Sequence, residues 1–134
     1  MSLRIVATCL VWLLFTAIGC STQDSQVSGT VTLDDQPLPL GTVAFHPQEA
    51  GPIAFGQVNS SGRYSLNTGT ESGLKPGSYA VTIEATEIVE PTPGNPEPLP
   101  KLLTPAKYRD KQVSGLIVEV KPGKNDIPLK LHSK

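Results

Sequence analysis

The stretch Tyr79-Ala80-Val81-Thr82-Ile83-Glu84-Ala85-Thr86 decides the fold of this chain. Its odd-numbered positions, from Tyr79 to Ala85, are apolar, whereas most of its even-numbered positions are polar. An apolar residue at every second position is typical of a β-strand with one face in the core and the other toward solvent. We therefore predict that Tyr79, Val81 and Ile83 pack inward.

Shorter stretches with the same alternation lie on both sides of this strand. Turn residues separate them, and they cover residues 27–33, 42–46, 53–58, 63–66, 116–120 and 127–131. Phe45 is expected in the core. The apolar residues stand at odd-numbered positions up to Phe55 but at an even-numbered position at Val58. This change predicts a bulge near Gly56. Because Pro128 has no N–H, the last strand should lie at an edge or direct that residue outward. Seven short antiparallel strands around one core predict an all-β sandwich.

Residues 88–113 interrupt the alternation with six prolines. This proline density favours an irregular loop with extended backbone over a helix. Two interpretations stay open, because a long loop in a compact domain is either a flexible solvated excursion or a segment that contacts a partner. Tyr108 is expected to pack where the chain rejoins the sandwich. The candidate contact residues of this possible interaction loop are Pro91, Pro93, Pro96, Pro98 and Tyr108.

Residues 1–19 have the layout of a signal peptide, with Arg4 followed by an apolar run that ends near Gly19. The run is shorter than the roughly 20 residues that cross a bilayer. The residues Ala17-Ile18-Gly19-Cys20 resemble the bacterial lipobox, in which the cysteine receives a diacylglyceryl group and becomes the new N-terminus. The resemblance implies a lipid anchor at Cys20, with residues 20–26 as a tether of at most roughly 20 Å. The alternative is an ordinary secretory signal that leaves Cys20 as a lone thiol.

Cleavage before Cys20 would leave 115 residues, which suit one domain over residues 27–134. No disulfide is expected, because Cys9 lies in the removed segment. The mature chain carries ten basic and twelve acidic side chains without a basic run, which argues against nucleic acid as a partner. A lipobox implies the bacterial cell envelope. Ser21 follows the cysteine where some bacteria use Asp for inner-membrane retention, and this slightly favours the outer membrane.

Four segments resemble the carboxypeptidase regulatory-like domain. They are Val27-Ser28-Gly29-Thr30-Val31, Pro37-Leu38-Pro39-Leu40-Gly41-Thr42-Val43, Asn59-Ser60-Ser61-Gly62-Arg63-Tyr64-Ser65-Leu66 and Leu74-Lys75-Pro76-Gly77-Ser78-Tyr79-Ala80-Val81-Thr82-Ile83. The resemblance covers residues 26–87 and implies a transthyretin-like, or prealbumin-like, sandwich. Its glycines and prolines mark turns, so it implies no catalytic residue.

The sequence predicts no enzymatic site. His46-Pro47-Gln48-Glu49 has an H-x-x-E spacing, and His132 could complete a zinc triad like that of metallocarboxypeptidases. Short ligand spacings arise often by chance, however, and Pro47 ends the strand that carries His46. Transthyretin-like hydrolases end in Tyr-Arg-Gly-Ser, whereas this chain ends in Leu131-His132-Ser133-Lys134. We therefore expect no catalytic residue, metal or cofactor.

Two classes of function stay open. The first is a non-catalytic module, held on the membrane through Cys20, that contacts an envelope protein or glycan through strand edges or the proline-rich loop. The second is a periplasmic lipoprotein that binds a small ligand or metal at one mouth of the sandwich.

Overall fold

The computed structural model describes residues 25–134, so the predicted signal peptide and Cys20 lie outside the described residues. This part is almost entirely β, as predicted. Its thirteen strands are β1 (Ser25–Leu33), β2 (Gln36–Pro37), β3 (Gly41–Pro47), β4 (Ala54–Val58), β5 (Arg63–Ser65), β6 (Asn67–Thr68), β7 (Glu71–Ser72), β8 (Gly77–Glu84), β9 (Thr86–Val89), β10 (Leu99–Leu102), β11 (Ile117–Val120), β12 (Gly123–Asp126) and β13 (Leu129–Leu131). One 3-10 helix covers Ala106–Arg109. Within residues 25–134, no helix is long and apolar enough to cross a membrane.

Two sheets face each other across the core. The first is built on β1, which pairs with β2, β5, β12 and β13, and the second has the strand order β11-β8-β3-β4-β6-β7. Most pairs are antiparallel, as predicted, but β12 and β13 both run parallel to β1. Pro128 lies exposed between these two strands, which agrees with the prediction that it turns outward. The structure has thirteen strands instead of the expected seven, and several of them have only two to four residues.

The central strand β8 follows the sequence prediction. Tyr79, Val81, Ile83 and Phe45 are all buried, with Val81 and Ile83 fully inaccessible to solvent. Phe45 lies on the neighbouring strand β3, directly opposite Val81 in the antiparallel register. Burying side chains of this size stabilises the fold by about 1.5–3 kcal/mol each.

Strand β4 differs from the prediction of a bulge. Its register against β3 is continuous from Gly41↔Val58 to Phe45↔Ala54, so there is no bulge at Gly56. Ala54 and Val58 face the core, whereas Phe55 is 50% exposed. Gly56 occupies the inward position between them. This position suits glycine, because an added Cβ there would overlap the carbonyl oxygen of Ser65. Because glycine has no side chain, the sequence shows no apolar residue at this inward position. The alternation of apolar residues in the sequence therefore shifts by one residue between Phe55 and Val58.

The proline-rich region also differs from the prediction. Residues 88–113 do not form one irregular loop, because β9 and β10 pair as an antiparallel hairpin. We call residues 86–102 the hairpin arm. The 3-10 helix follows it and leads the chain back to β11.

The beginning of β1 and the hairpin arm lie at opposite ends of the sandwich. Ser25 and Leu74 exchange two backbone hydrogen bonds, of 3.1 and 2.9 Å, so β1 and β8 begin at one end. β8 then runs for eight residues, roughly 25 Å at about 3.3 Å per residue, and ends where the hairpin arm begins. We call the end at Ser25 the tether end.

Candidate interaction surfaces

The hairpin arm is ordered as a ribbon although it buries none of its side chains. Its register runs from Leu99↔Val89 to Leu102↔Thr86, and every residue from 86 to 102 is exposed. At its base, the Leu103 N–H donates to the Ala85 carbonyl at 2.8 Å. At its tip, Thr92 and Asn95 exchange two hydrogen bonds of 2.8 Å each. Backbone pairing therefore defines the shape of this arm.

The structure separates the residues of the predicted interaction loop. All four prolines, Pro91, Pro93, Pro96 and Pro98, lie on the exposed hairpin arm. Tyr108 does not join them, because it is only 4% exposed and belongs to the core. Its hydroxyl accepts a 2.9 Å hydrogen bond from the His132 N–H. Tyr108 thus packs where the chain rejoins the sandwich, as expected, and is removed from the candidate surface.

Sequence reasoning missed the apolar and acidic side chains of the hairpin arm. Ile88 is 62% exposed, and three further apolar residues, Val89, Leu99 and Leu102, are exposed beside it. The arm also carries Glu87, Glu90, Glu97 and Lys101, so its net charge is −2. The β-branched pair Ile88-Val89 was the available sequence signal for a strand, but the surrounding prolines obscured it.

A cleft of about 470 Å³ lies at the tether end. It is formed by the loop between β3 and β4 together with residues 74–79, and its lining includes Glu49, Thr68, Lys75 and Tyr79. The Tyr79 hydroxyl donates to the Lys75 carbonyl at 2.7 Å, and burial raises the pKa of Tyr79. This is the mouth of the sandwich to which the small-ligand interpretation applies.

The outer face of the larger sheet carries two exposed apolar side chains, Phe55 on β4 and Ile117 on β11. The strands between them place the buried Ala44 and Ala80 on this face, together with the polar His46 and Thr82.

The two histidines considered for a zinc triad have separate partners. His46 Nε2 lies 2.9 Å from Thr82 Oγ1 on the same sheet face, and burial, followed by the charge of Lys111, lowers the pKa of His46. The backbone N–H of His132 instead bonds Tyr108. Within residues 25–134, no three His, Cys, Asp or Glu side chains group closely enough to hold a metal ion.

Two other perturbed groups have structural partners. The Tyr64 hydroxyl donates to the Ile127 carbonyl at 2.6 Å, and burial together with the charge of Asp126 raises the pKa of Tyr64 well above its usual range. Asp34 accepts a 3.1 Å hydrogen bond from the Ser133 N–H, and hydrogen bonding to Ser133 lowers the Asp34 pKa. Both contacts hold the C-terminal strands against β1 and its neighbours.

A scan against protein-family models finds no match to this chain, and a search of curated proteins finds no significant relative. The resemblance to carboxypeptidase regulatory-like domains stays a prediction, as does lipidation at Cys20. The surfaces described above are therefore the basis for a functional proposal.

Proposed function

We propose that this protein is a non-catalytic cell-envelope module, lipid-anchored at Cys20, that holds its hairpin arm away from the membrane to contact a partner protein. The observation that carries the proposal is that Ser25 and the hairpin arm lie at opposite ends of the sandwich. From Cys20 to Ser25 the chain can span at most about 18 Å. An anchor at Cys20 would therefore keep the tether end near the lipid surface and direct the arm outward.

The exposure of the arm supports a contact role. A two-stranded hairpin is marginally stable in water, and this one gains no stability from burial of its own side chains. Four apolar side chains stay exposed on its two strands. Val89 and Leu99 lie directly opposite each other on one face of the ribbon, and Ile88 and Leu102 lie on the other face. Exposed apolar side chains grouped in this way are typical of interaction surfaces. The five prolines of the arm reduce its conformational freedom before binding, which lowers the entropy cost of docking.

The test replaces residues 87–101 with a short Gly/Ser linker, because the Leu103–Ala85 hydrogen bond already closes the base. Cross-linking in intact membranes then compares captured partners with those of the wild-type protein. A matched control, Ile117→Ser, alters an exposed apolar residue on β11, outside the hairpin arm. We expect the arm replacement to lose the partners and the control to keep them. Unchanged partners in the arm variant would contradict the proposal.

The anchor is tested separately by Cys20→Ala and membrane fractionation. Without the thiol, no diacylglyceryl group can be attached, so the variant should stay uncleaved or leave the membrane fraction. Normal processing together with wild-type partitioning would show that Cys20 is not the anchor.

The cleft at the tether end supports a second candidate, a lipoprotein that binds a small ligand. Its volume of about 470 Å³ lies within the range of ligand sites, and the Lys75 and Glu49 side chains would supply polar contacts. A ligand that binds only the folded state raises the melting temperature. A thermal-shift screen, repeated with Thr68→Trp to fill the cleft, would therefore support this candidate if shifts occur and disappear in the variant.

A further inference from the structure

The hydrogen-bond pattern of the hairpin arm determines which backbone groups point away from it. In an antiparallel pair, hydrogen-bonded and non-hydrogen-bonded residue pairs alternate. Leu103 and Ala85 form a hydrogen-bonded pair at the base. Counting in steps of two residues, Lys101↔Glu87 and Leu99↔Val89 are hydrogen-bonded pairs as well. The intervening pairs therefore direct their backbone groups outward to the two edges. They are Leu102↔Thr86 and Pro100↔Ile88.

The two edges of the arm differ in their ability to pair with another strand. On β10, Pro100 occupies an outward-directed position and has no N–H to donate, and Pro98, which also lacks an N–H, directly precedes the strand. On β9, Thr86 and Ile88 also direct their backbone groups outward, and both keep their N–H groups. Among the described residues, β9 pairs with β10 alone. Proline at an edge is a device that prevents strand addition, and here it protects one edge and leaves the other open.

We propose that the open edge of β9 binds an extended segment of the partner protein, which adds to the arm as a third strand. This inference rests on the proposed function and specifies how the same surface recognises its partner. Main-chain hydrogen bonds from Thr86 and Ile88 supply affinity, and side chains at alternate positions supply selectivity.

The charges of the arm define the chemistry of the added strand. Glu87 and Glu90 lie on or directly after β9, and the arm as a whole has a net charge of −2. A strand beside β9 places its side chains next to Glu87 on one face of the ribbon and next to Ile88 on the other. The complementary segment therefore alternates apolar residues with lysine or arginine.

A second copy of this chain is a less suitable occupant. Pairing β9 with β9 of another molecule would bring two arms of net charge −2 together. Like charges at close range oppose association, whereas opposite charges favour it. The proposal therefore commits to a different protein with a basic, extended segment.

The experiment uses the purified full chain in detergent and a ten-residue peptide that alternates valine and lysine. We expect the peptide to bind and to slow hydrogen exchange at the Thr86 and Ile88 amides. A peptide with glutamate in place of lysine should bind at least tenfold more weakly. Absence of protection at these two amides, or equal binding of both peptides, would overturn the proposal.

Matched proline variants separate the two edges. Ile88→Pro removes an outward N–H from β9 and should reduce binding at least tenfold, whereas Leu102→Pro does the same on β10 and should leave binding unchanged. Slow exchange of the Val89 and Lys101 amides in both free variants verifies that the arm is intact. Equal effects of the two variants would overturn the inference.

A charge-reversal variant provides a measurement that does not depend on proline. Glu87→Lys combined with Glu90→Lys should reverse the preference, so that the glutamate peptide binds better than the lysine peptide. An unchanged preference, or a wild-type dimer that Ile88→Pro dissociates, would contradict a basic partner strand.

If replacement of the arm removes the partners but Ile88→Pro does not, the proposed function stands and the strand-addition inference fails.

Discussion

Strands β8 and β9 are separated by a single residue, Ala85, yet they represent two different kinds of β-structure. β8 lies between β3 and β11 and places Tyr79, Val81 and Ile83 in the core. β9 pairs with β10 alone and buries no side chain. The stability of β8 therefore comes mainly from burial, whereas the hairpin arm is defined by its own hydrogen bonds and prolines.

This difference explains why the two regions would have different tasks. A residue of β8 cannot change without affecting the packing of both sheets, because protein interiors are close-packed. A residue of the hairpin arm has no such constraint and is free to serve recognition. Comparing matched substitutions in the two regions tests that division directly.

The largest effect is expected for Ile83→Ala, which removes buried methyl groups from the centre of the larger sheet. A loss of about 2–5 kcal/mol is expected from the lost burial and the cavity left behind. The matched change Ile88→Ala on the arm should cost less than about 0.5 kcal/mol. Urea denaturation of both variants measures the difference. Similar losses would mean that the arm contributes to the core.

A smaller effect is expected for Gly29→Ala on β1. An added Cβ would overlap the carbonyl oxygen of Ile127, and such overpacking costs about 1–3 kcal/mol. The matched change Gly94→Ala at the tip of the arm meets nothing within 4 Å, so its free energy of unfolding should stay within about 0.5 kcal/mol of wild type. A stable Gly29→Ala variant would show that β1 and Ile127 separate more easily than the close contact indicates.

Tyr108→Phe tests where the proline-rich region ends and the core begins. The substitution removes the hydroxyl that bonds the His132 N–H and should cost about 0.5–1.5 kcal/mol. Pro98→Ala, ten residues earlier on the exposed arm, should change stability by less than about 0.5 kcal/mol. Equal melting temperatures for the two variants would argue that Tyr108 belongs to the arm.

The sequence was sufficient to predict an all-β fold and the inward face of β8, because alternation reports burial directly. It could not predict that β12 and β13 run parallel to β1, because alternation has no direction. The hairpin arm was missed for a different reason. Proline normally argues against a strand, but Pro100 lies at a position whose N–H would point outward and therefore interrupts no hydrogen bond of the pair, and Pro98 precedes β10. Cys20 lies outside the described residues, and its lipidation stays a prediction.

A modest pH dependence is expected from His46 on the outer face of the larger sheet. Because its pKa in the folded protein is lowered below the usual value near 6.5, the unfolded chain binds the proton more readily. Its contribution to stability is complete above pH 6.5 and is lost as the pH falls through and below that value. Melting temperatures between pH 5 and 7.5 should show this decline in wild type and a weaker one in His46→Gln. An equal decline in both would assign the pH dependence to other groups.

The smallest effect on stability is expected when residues 87–101 are replaced with a short Gly/Ser linker. Ordering these residues costs roughly 1–2 kcal/mol each in backbone entropy, although their prolines reduce that cost, and no buried side chain offsets it. The Leu103–Ala85 hydrogen bond and the buried Thr104 remain to close the shortened connection. The melting temperature should therefore stay within a few degrees of wild type, which is measured by circular dichroism. Together with loss of cross-linked partners, this result would separate recognition from folding. A collapse in stability would instead show that the arm supports the sandwich, and its exposed side chains would then need another explanation.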